Sequence, residues 1–140
     1  MSRVFWDTNL FIYLFEDYGE LSLAVTGLRK SMMERGDQLL TSTVTLGELL
    51  VKPLENGETE ICRVYEEEMQ SLCQLVPFDV KAAKIYASLR VDRSLRAPDA
   101  IQLACAGSAE ADLFITNDSR LSKKRVEGIQ FIVPLDRVPI

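Results

Sequence analysis

Arg3-Val4-Phe5-Trp6-Asp7-Thr8-Asn9 is a strand-forming run that stops abruptly at a carboxylate, a hydroxyl and an amide. Val4 to Trp6, with Arg3 ahead of them, suit a strand, and Leu10, Phe11, Tyr13 and Leu14 begin a helical pattern directly afterwards. A buried strand that ends in an acid at a strand-to-helix turn puts that acid on the carboxyl edge of a sheet. In open α/β folds that edge is where ligands bind. The chemistry then depends on which other side chains arrive at the same edge.

Working outward, Leu10 to Glu16 reads as a short helix. A second helix runs from about Leu21 to Arg35, with Leu21, Ala24, Val25, Leu28 and Met32 on one face and Gly36 closing it. Leu39 to Ser42 is a second strand. Thr43 to Leu50 opens another helix, expected to end before Pro53. Asn56-Gly57 is a turn, Glu58 to Leu72 a long helix, and Leu75 to Phe78 a third strand. Val80 to Val91 is an amphipathic helix. Pro98, at a first helical position, opens the helix that continues from Asp99 to about Ser108. Leu113 to Thr116 is a fourth strand, followed by Asn117-Asp118 and a short helix through Leu121. Gln130 to Val133 is a fifth strand, ended by Pro134. Strands alternating with helices, with no Gly/Ser-rich linker and no repeat, predict one α/β domain over residues 1–140 with a mostly parallel sheet covered on both faces.

The totals narrow the chemistry. At 140 residues, 47% hydrophobic and 26% charged, the chain has the make-up of an ordinary globular domain. No apolar run approaches a membrane span, and Met1-Ser2-Arg3 precedes the first strand without a signal-peptide segment, so a cytoplasmic protein with no membrane partner is expected. Cys62, Cys73 and Cys105 lack metal or redox spacing and read as small buried hydrophobes. Histidine is absent, which removes Ser-His-Asp and Cys-His catalysis and histidine-ligated zinc. A net charge of −5 argues against a general nucleic-acid coat protein, but not against an enzyme whose acids are gathered in one pocket.

Four acids stand out by their surroundings. Asp7 ends the most apolar strand; capping the following helix is an equally good reading of it. Glu48 lies among Leu46, Leu49, Leu50 and Val51, with Val44 and Val51 on its side of the helix; its bland role is an ion pair with Lys52. Asp99 begins a helix that is apolar nearly all round and shares its polar edge only with Gln102. The helix dipole alone would favour an acid there by about 0.3–1 kcal/mol. Asp118 follows strand four as Asp7 follows strand one, and it too could be a cap. Taken together, four acids at strand ends and on helix faces, in a chain with no histidine, would repel one another unless a cation lay between them. Oxygen-only donors are the preference of Mg²⁺ and Mn²⁺. Such an ion can hold a phosphodiester, acidify a bound water and stabilise a leaving oxygen. The inferred chemistry is metal-dependent hydrolysis of a phosphate ester.

Val4-Phe5-Trp6-Asp7-Thr8-Asn9, Glu48 on a helix in the first half, Ala97-Pro98-Asp99-Ala100 and Phe114-Ile115-Thr116-Asn117-Asp118 together resemble the PIN domain, and more closely the VapC-type ribonuclease toxins of prokaryotic toxin–antitoxin pairs. The resemblance covers essentially the whole chain, and the ordered set carries it rather than any one motif. It implies a three-layer α/β/α sandwich with a central, mostly parallel five-stranded sheet. It also implies an acidic pocket for Mg²⁺ or Mn²⁺, and hydrolysis of RNA by a metal-activated water. By position, Asp7, Glu48, Asp99 and Asp118 would be the catalytic and metal-binding acids, with Thr8, Asn9, Thr116 and Asn117 in support. RNA substrate, a homodimer and a silencing antitoxin protein are the partners it implies. Because the chain is acidic, its RNA-binding surface should be local: Arg93 and Arg96 before Asp99, or Lys123, Lys124 and Arg125 after Asp118, the latter three reading more readily as a solvated loop.

Three other readings compete. A haloacid-dehalogenase-type phosphatase needs a second acid two residues after the first, where this chain has Asn9. A receiver-type phospho-acceptor needs a lysine after a late strand, where this chain has Thr116-Asn117-Asp118. A PIN-like module that binds RNA or protein without cutting would have no reason to keep four mutually repelling acids.

Overall fold

The computed structural model describes residues 1–140. Strands β1 (Arg3–Trp6), β2 (Gln38–Ser42), β3 (Gln74–Val76), β4 (Leu113–Thr116) and β5 (Phe131–Pro134) form one sheet in the order β3-β2-β1-β4-β5. Every pairing is parallel, so the sheet is wholly rather than mostly so. Helices α1 (Thr8–Phe15), α2 (Glu20–Arg35), α3 (Thr43–Glu55) and α4 (Thr59–Leu72) precede β3. Helices α5 (Val80–Arg90) and α6 (Ala97–Ser108) lie between β3 and β4.

The first strand shows why both faces are covered. Val4 and Trp6 point into one core with Leu10, Phe11, Val25, Met32 and Met69, drawn from α1, α2 and α4. Phe5, between them, points the other way, into a core with Ile85, Leu103 and Ala104 of α5 and α6. It stacks on Phe114 of β4 with ring centroids 5.3 Å apart, a pairing worth about 0.5–1.5 kcal/mol beyond burial. The result is the expected three-layer α/β/α sandwich. No helix is long and apolar enough to cross a membrane.

Several boundaries differ from the sequence expectation. Helix α1 starts at Thr8 because Asp7 caps it directly. Helix α3 runs through Pro53 to Glu55; in the last turn a proline removes a single internal donor, and burial of its ring compensates. Strand β3 stops at Val76 because Pro77 cannot extend the ladder, which leaves Phe78 42% exposed. Asp118 is followed by a turn and a 3₁₀ segment, Leu121–Lys123, rather than by a helix through Leu121. Pro134 is the last residue of β5 rather than the one after it, tolerated because β5 is an edge strand.

The topology also locates the site. The chain builds outward from β1 through β2 to β3, then returns to the other side of β1 for β4 and β5. The direction of winding therefore reverses between β1 and β4. A crevice opens there beyond the carboxyl ends of the strands, and the residues that follow those two strands are Asp7 and Asn117-Asp118.

Candidate active site

Hydroxyls and one amide make a rigid floor beneath this crevice. The Gln102 side chain, 2% exposed on α6, donates to the Thr8 hydroxyl at 2.8 Å and the Thr45 hydroxyl at 2.9 Å. Its carbonyl oxygen accepts from the Ser42 hydroxyl at 2.7 Å. Thr41 donates to the Trp6 carbonyl and lies 2.8 Å from the Thr45 hydroxyl. Ser42 also caps α3 by accepting from the Thr45 amide. The network thus ties the ends of β1 and β2 to the first turns of α1 and α3 and to the middle of α6. Buried polar groups are costly unless paired, and here each is paired, which fixes the relative placement of these elements.

Asp7, Glu48, Asp99 and Asp118 line one cavity of about 220 Å³ above that floor, together with Thr8, Asn9, Arg96, Pro98 and Gln102, and no hydrophobic residue is among them. Asp7 performs both roles open to it in the sequence. One oxygen accepts from the Thr8 amide at 2.9 Å as the α1 cap, and the other accepts from the Thr116 hydroxyl at 2.8 Å. Burial pushes its carboxyl above the usual range, the bonds from Thr116 and Thr8 oppose this, and the Asp99 and Asp118 charges add to it. Glu48 stands at the exposed rim and not on a covered face; Val51, one turn on, is 52% exposed, and α3 instead buries Thr45, Leu49 and Pro53. Its carboxyl, withdrawn in part from water and facing Asp7 and Asp99, is also raised. Its bland partner is taken elsewhere, since Lys52 lies 3.9 Å from Glu16.

The other two acids carry cations. Asp99, in the first turn of α6, accepts from Arg96 Nε at 3.2 Å. Asp118 accepts from Arg120 Nε at 3.0 Å and Nη2 at 2.6 Å, and the guanidinium holds its carboxyl below the usual range. Its amide donates to the Thr116 hydroxyl at 3.0 Å, so one threonine orients both strand-end acids.

Of the supporting residues expected from sequence, Thr8, Asn9 and Thr116 lie at the cavity or bond to its acids. Asn117 turns away and donates to the Tyr13 hydroxyl at 2.9 Å. Arg96 lines the cavity while Arg93 is exposed outside its lining. Sequence reasoning did not pick out Ser42, Thr45 and Arg120. Ser42 and Thr45 carry the spacing of a helix cap, which hid their part in the floor, and nothing in the sequence indicated which acid Arg120 would meet.

The donor set is all oxygen, and Asp7 is a buried carboxylate facing two like charges, so the residues suit a divalent cation. As the side chains stand, no three acids converge closely enough to grip one. Asp99 and Asp118 are drawn to Arg96 and Arg120, which take up the oxygens a cation would use.

The sequence model of the PIN domain family matches residues 4–127. The chain is a PIN domain. Divalent metals are typical of the family. Several solved structures share its fold. It is similar to a chain of DNA-bound VapBC from Salmonella typhimurium, with a TM-score of 0.74 at 21% identity over 96% of this chain and 99% of that one. It is similar to a chain of VapBC2 from Rickettsia felis bound to a promoter DNA fragment, with a TM-score of 0.73 at 15% identity, covering 94% and 97%. FitAcB from Neisseria gonorrhoeae gives a TM-score of 0.67 at 20% identity, covering 83% and 88%. At these identities the likeness is one of fold. No curated protein sequence matches the chain.

Proposed function

We propose that this PIN domain is a metal-dependent endoribonuclease and the toxin of a type II toxin–antitoxin pair, acting in the cytoplasm and silenced by an antitoxin protein. The observation that carries the ribonuclease reading is the cavity at the sheet reversal, into which four separate parts of the fold each deliver one carboxylate and no apolar side chain. The toxin reading is supported by the fold shared with chains of VapBC complexes. A bound Mg²⁺ or Mn²⁺ would supply charge neutralisation and an acidified water at neutral pH.

Asp7, Glu48, Asp99 and Asp118 would hold the ion. Thr116 and Thr8 keep the Asp7 oxygens aimed while the floor below holds Thr8 in place. Arg96 and Arg120 keep the pocket from carrying four uncompensated charges, and once released they are placed to meet phosphate oxygens. Homodimerisation belongs to the same proposal.

The test is cleavage of single-stranded RNA in Mg²⁺ or Mn²⁺ by the native protein beside Asp7→Asn and Asp99→Asn. Cleavage that EDTA and either substitution abolish is expected. Undiminished cleavage by both variants would sink the site assignment. A native protein that cuts no RNA in Mn²⁺ across varied substrates would favour the non-cutting binding module.

A further inference from the structure

A second feature lies beside the acids, where Lys123, Lys124 and Arg125 follow Asp118 in the chain. Asp99 lines the acidic cavity and also a neighbouring cavity of about 240 Å³ that contains Arg120 and Lys124. Lys124 in turn lines a third cavity, of about 690 Å³, together with Lys123, Arg125, Gln130 and Phe131. The three cavities therefore adjoin through shared walls, and cations accumulate away from the acids.

Lys124 is held by Asp92 at 2.7 Å and Arg120 by Asp118, whereas Lys123 and Arg125 are exposed and pair with no carboxylate. Glu127 is the single acid in the third cavity's lining. Phe131, on the edge strand β5, leaves 63% of its surface exposed inside that basic wall. An exposed aromatic ring that shares one cavity lining with unpaired cations is the combination that single-stranded nucleic acids use, because any base can stack while the cations track the phosphates.

The other flank has the opposite character. Glu48 lines both the acidic cavity and one of about 360 Å³ that also holds Glu16 and Glu58. Its one cation, Lys52, is already beside Glu16, so a phosphate chain would be repelled there.

Resting on the ribonuclease reading, we propose that the RNA strand leaves the acidic cavity past Asp99 and lies along the cavity of Lys123 and Arg125, with a base stacked on Phe131. Binding is measured by fluorescence anisotropy of an end-labelled single-stranded RNA of about 12 nucleotides, within the span of single-strand sites, in Ca²⁺ and over a salt series. Phe131→Ala should weaken binding by about 5- to 150-fold, the usual value of one stacked base, and Phe131→Trp should restore it. Lys123→Ala with Arg125→Ala should lower the salt slope by about 0.7 for each cation removed. Lys52→Ala, on the opposite flank, should change nothing. All variants should cut a dinucleotide that spans only the acidic cavity as the native protein does.

If the native protein binds RNA and both the Phe131→Ala and the Lys123/Arg125 variants bind it equally well, the path is overturned while the ribonuclease reading stands. If the native protein neither binds nor cuts RNA, the ribonuclease reading fails first. Binding of an acidic peptide but no RNA, weakened by the Lys123/Arg125 change, would assign the cavity to a protein partner and overturn the proposal.

Discussion

Asp7 carries two loads that the sequence presents as alternatives. It caps α1 through one oxygen and faces the cavity with the other held by Thr116. The cap was legible because a carboxylate directly before a helix can accept from its first free amides. The tension at the site was not, since it comes first from burial of the carboxyl and then from Asp99 and Asp118, more than ninety residues away, arriving within reach. The raised carboxyl has a consequence for stability. A carboxyl raised in the folded protein disfavours folding above its folded pKa, and that penalty fades as pH falls through that value toward the ordinary 3.8. Asp7→Asn keeps an oxygen for the Thr8 amide and removes the charge. It should therefore stabilise the metal-free protein at pH 7 by roughly 0.5–2 kcal/mol, the usual exchange of function for stability, while abolishing cleavage. Paired thermal melts should show the advantage shrinking on acidification toward pH 4; a variant less stable than the native protein at pH 7 would contradict the buried-charge account.

At the scale of elements, the alternation of strands and helices was readable because each strand is a short apolar run and each helix has a buried stripe. What was hidden is how the loop after β4 is held. Gly107 on α6 and Gly128 in that loop touch back to back: a Cβ at Gly107 would lie 2.3 Å from the Glu127 carbonyl oxygen, and one at Gly128 would lie 2.1 Å from that of Gly107. Neither glycine has a neighbour in sequence that announces the contact. Gly107→Ala should force the loop off α6 and cost about 1–3 kcal/mol, the scale of overpacking a tight interior. Gly47 on α3 gives the opposite sign, because a Cβ there meets nothing within 4 Å. Gly47→Ala should gain up to about 1 kcal/mol from helix propensity alone. Urea midpoints moving in opposite directions would bear out both contacts, and a shared direction would refute one of them. Gln102 belongs to this scale as well. Its position one turn from Asp99 marked a polar edge, but its task is to lock the hydroxyls of Thr8, Ser42 and Thr45 rather than to meet a ligand.

For the whole molecule, a net charge of −5 conceals an uneven distribution: acids crowd the sheet reversal, with cations on one flank of it and further acids on the other. Composition could not reveal that arrangement, because only the strand order brings residues 7, 48, 99 and 118 to one cavity. If the cavity takes a divalent cation, folding and metal binding must be linked, since the unfolded chain cannot assemble the site. Mn²⁺ at about 100 times its dissociation constant would then add about 2.7 kcal/mol, a rise of several degrees in melting temperature for a domain of this size. Asp99→Asn should lose most of that rise, whether or not any RNA is present. The pH dependence has a definite sign. Asp7 and Glu48 are raised and so take up protons at a higher pH than ordinary carboxylates, whereas Asp118, lowered by Arg120, stays ionised. Protons therefore compete with the metal mainly at Asp7 and Glu48, and the Mn²⁺-induced rise should diminish as pH falls from 7. A rise that instead grew on acidification, or that survived Asp99→Asn intact, would place the metal at some other group of ligands and separate the acidic cavity from the chemistry proposed for it.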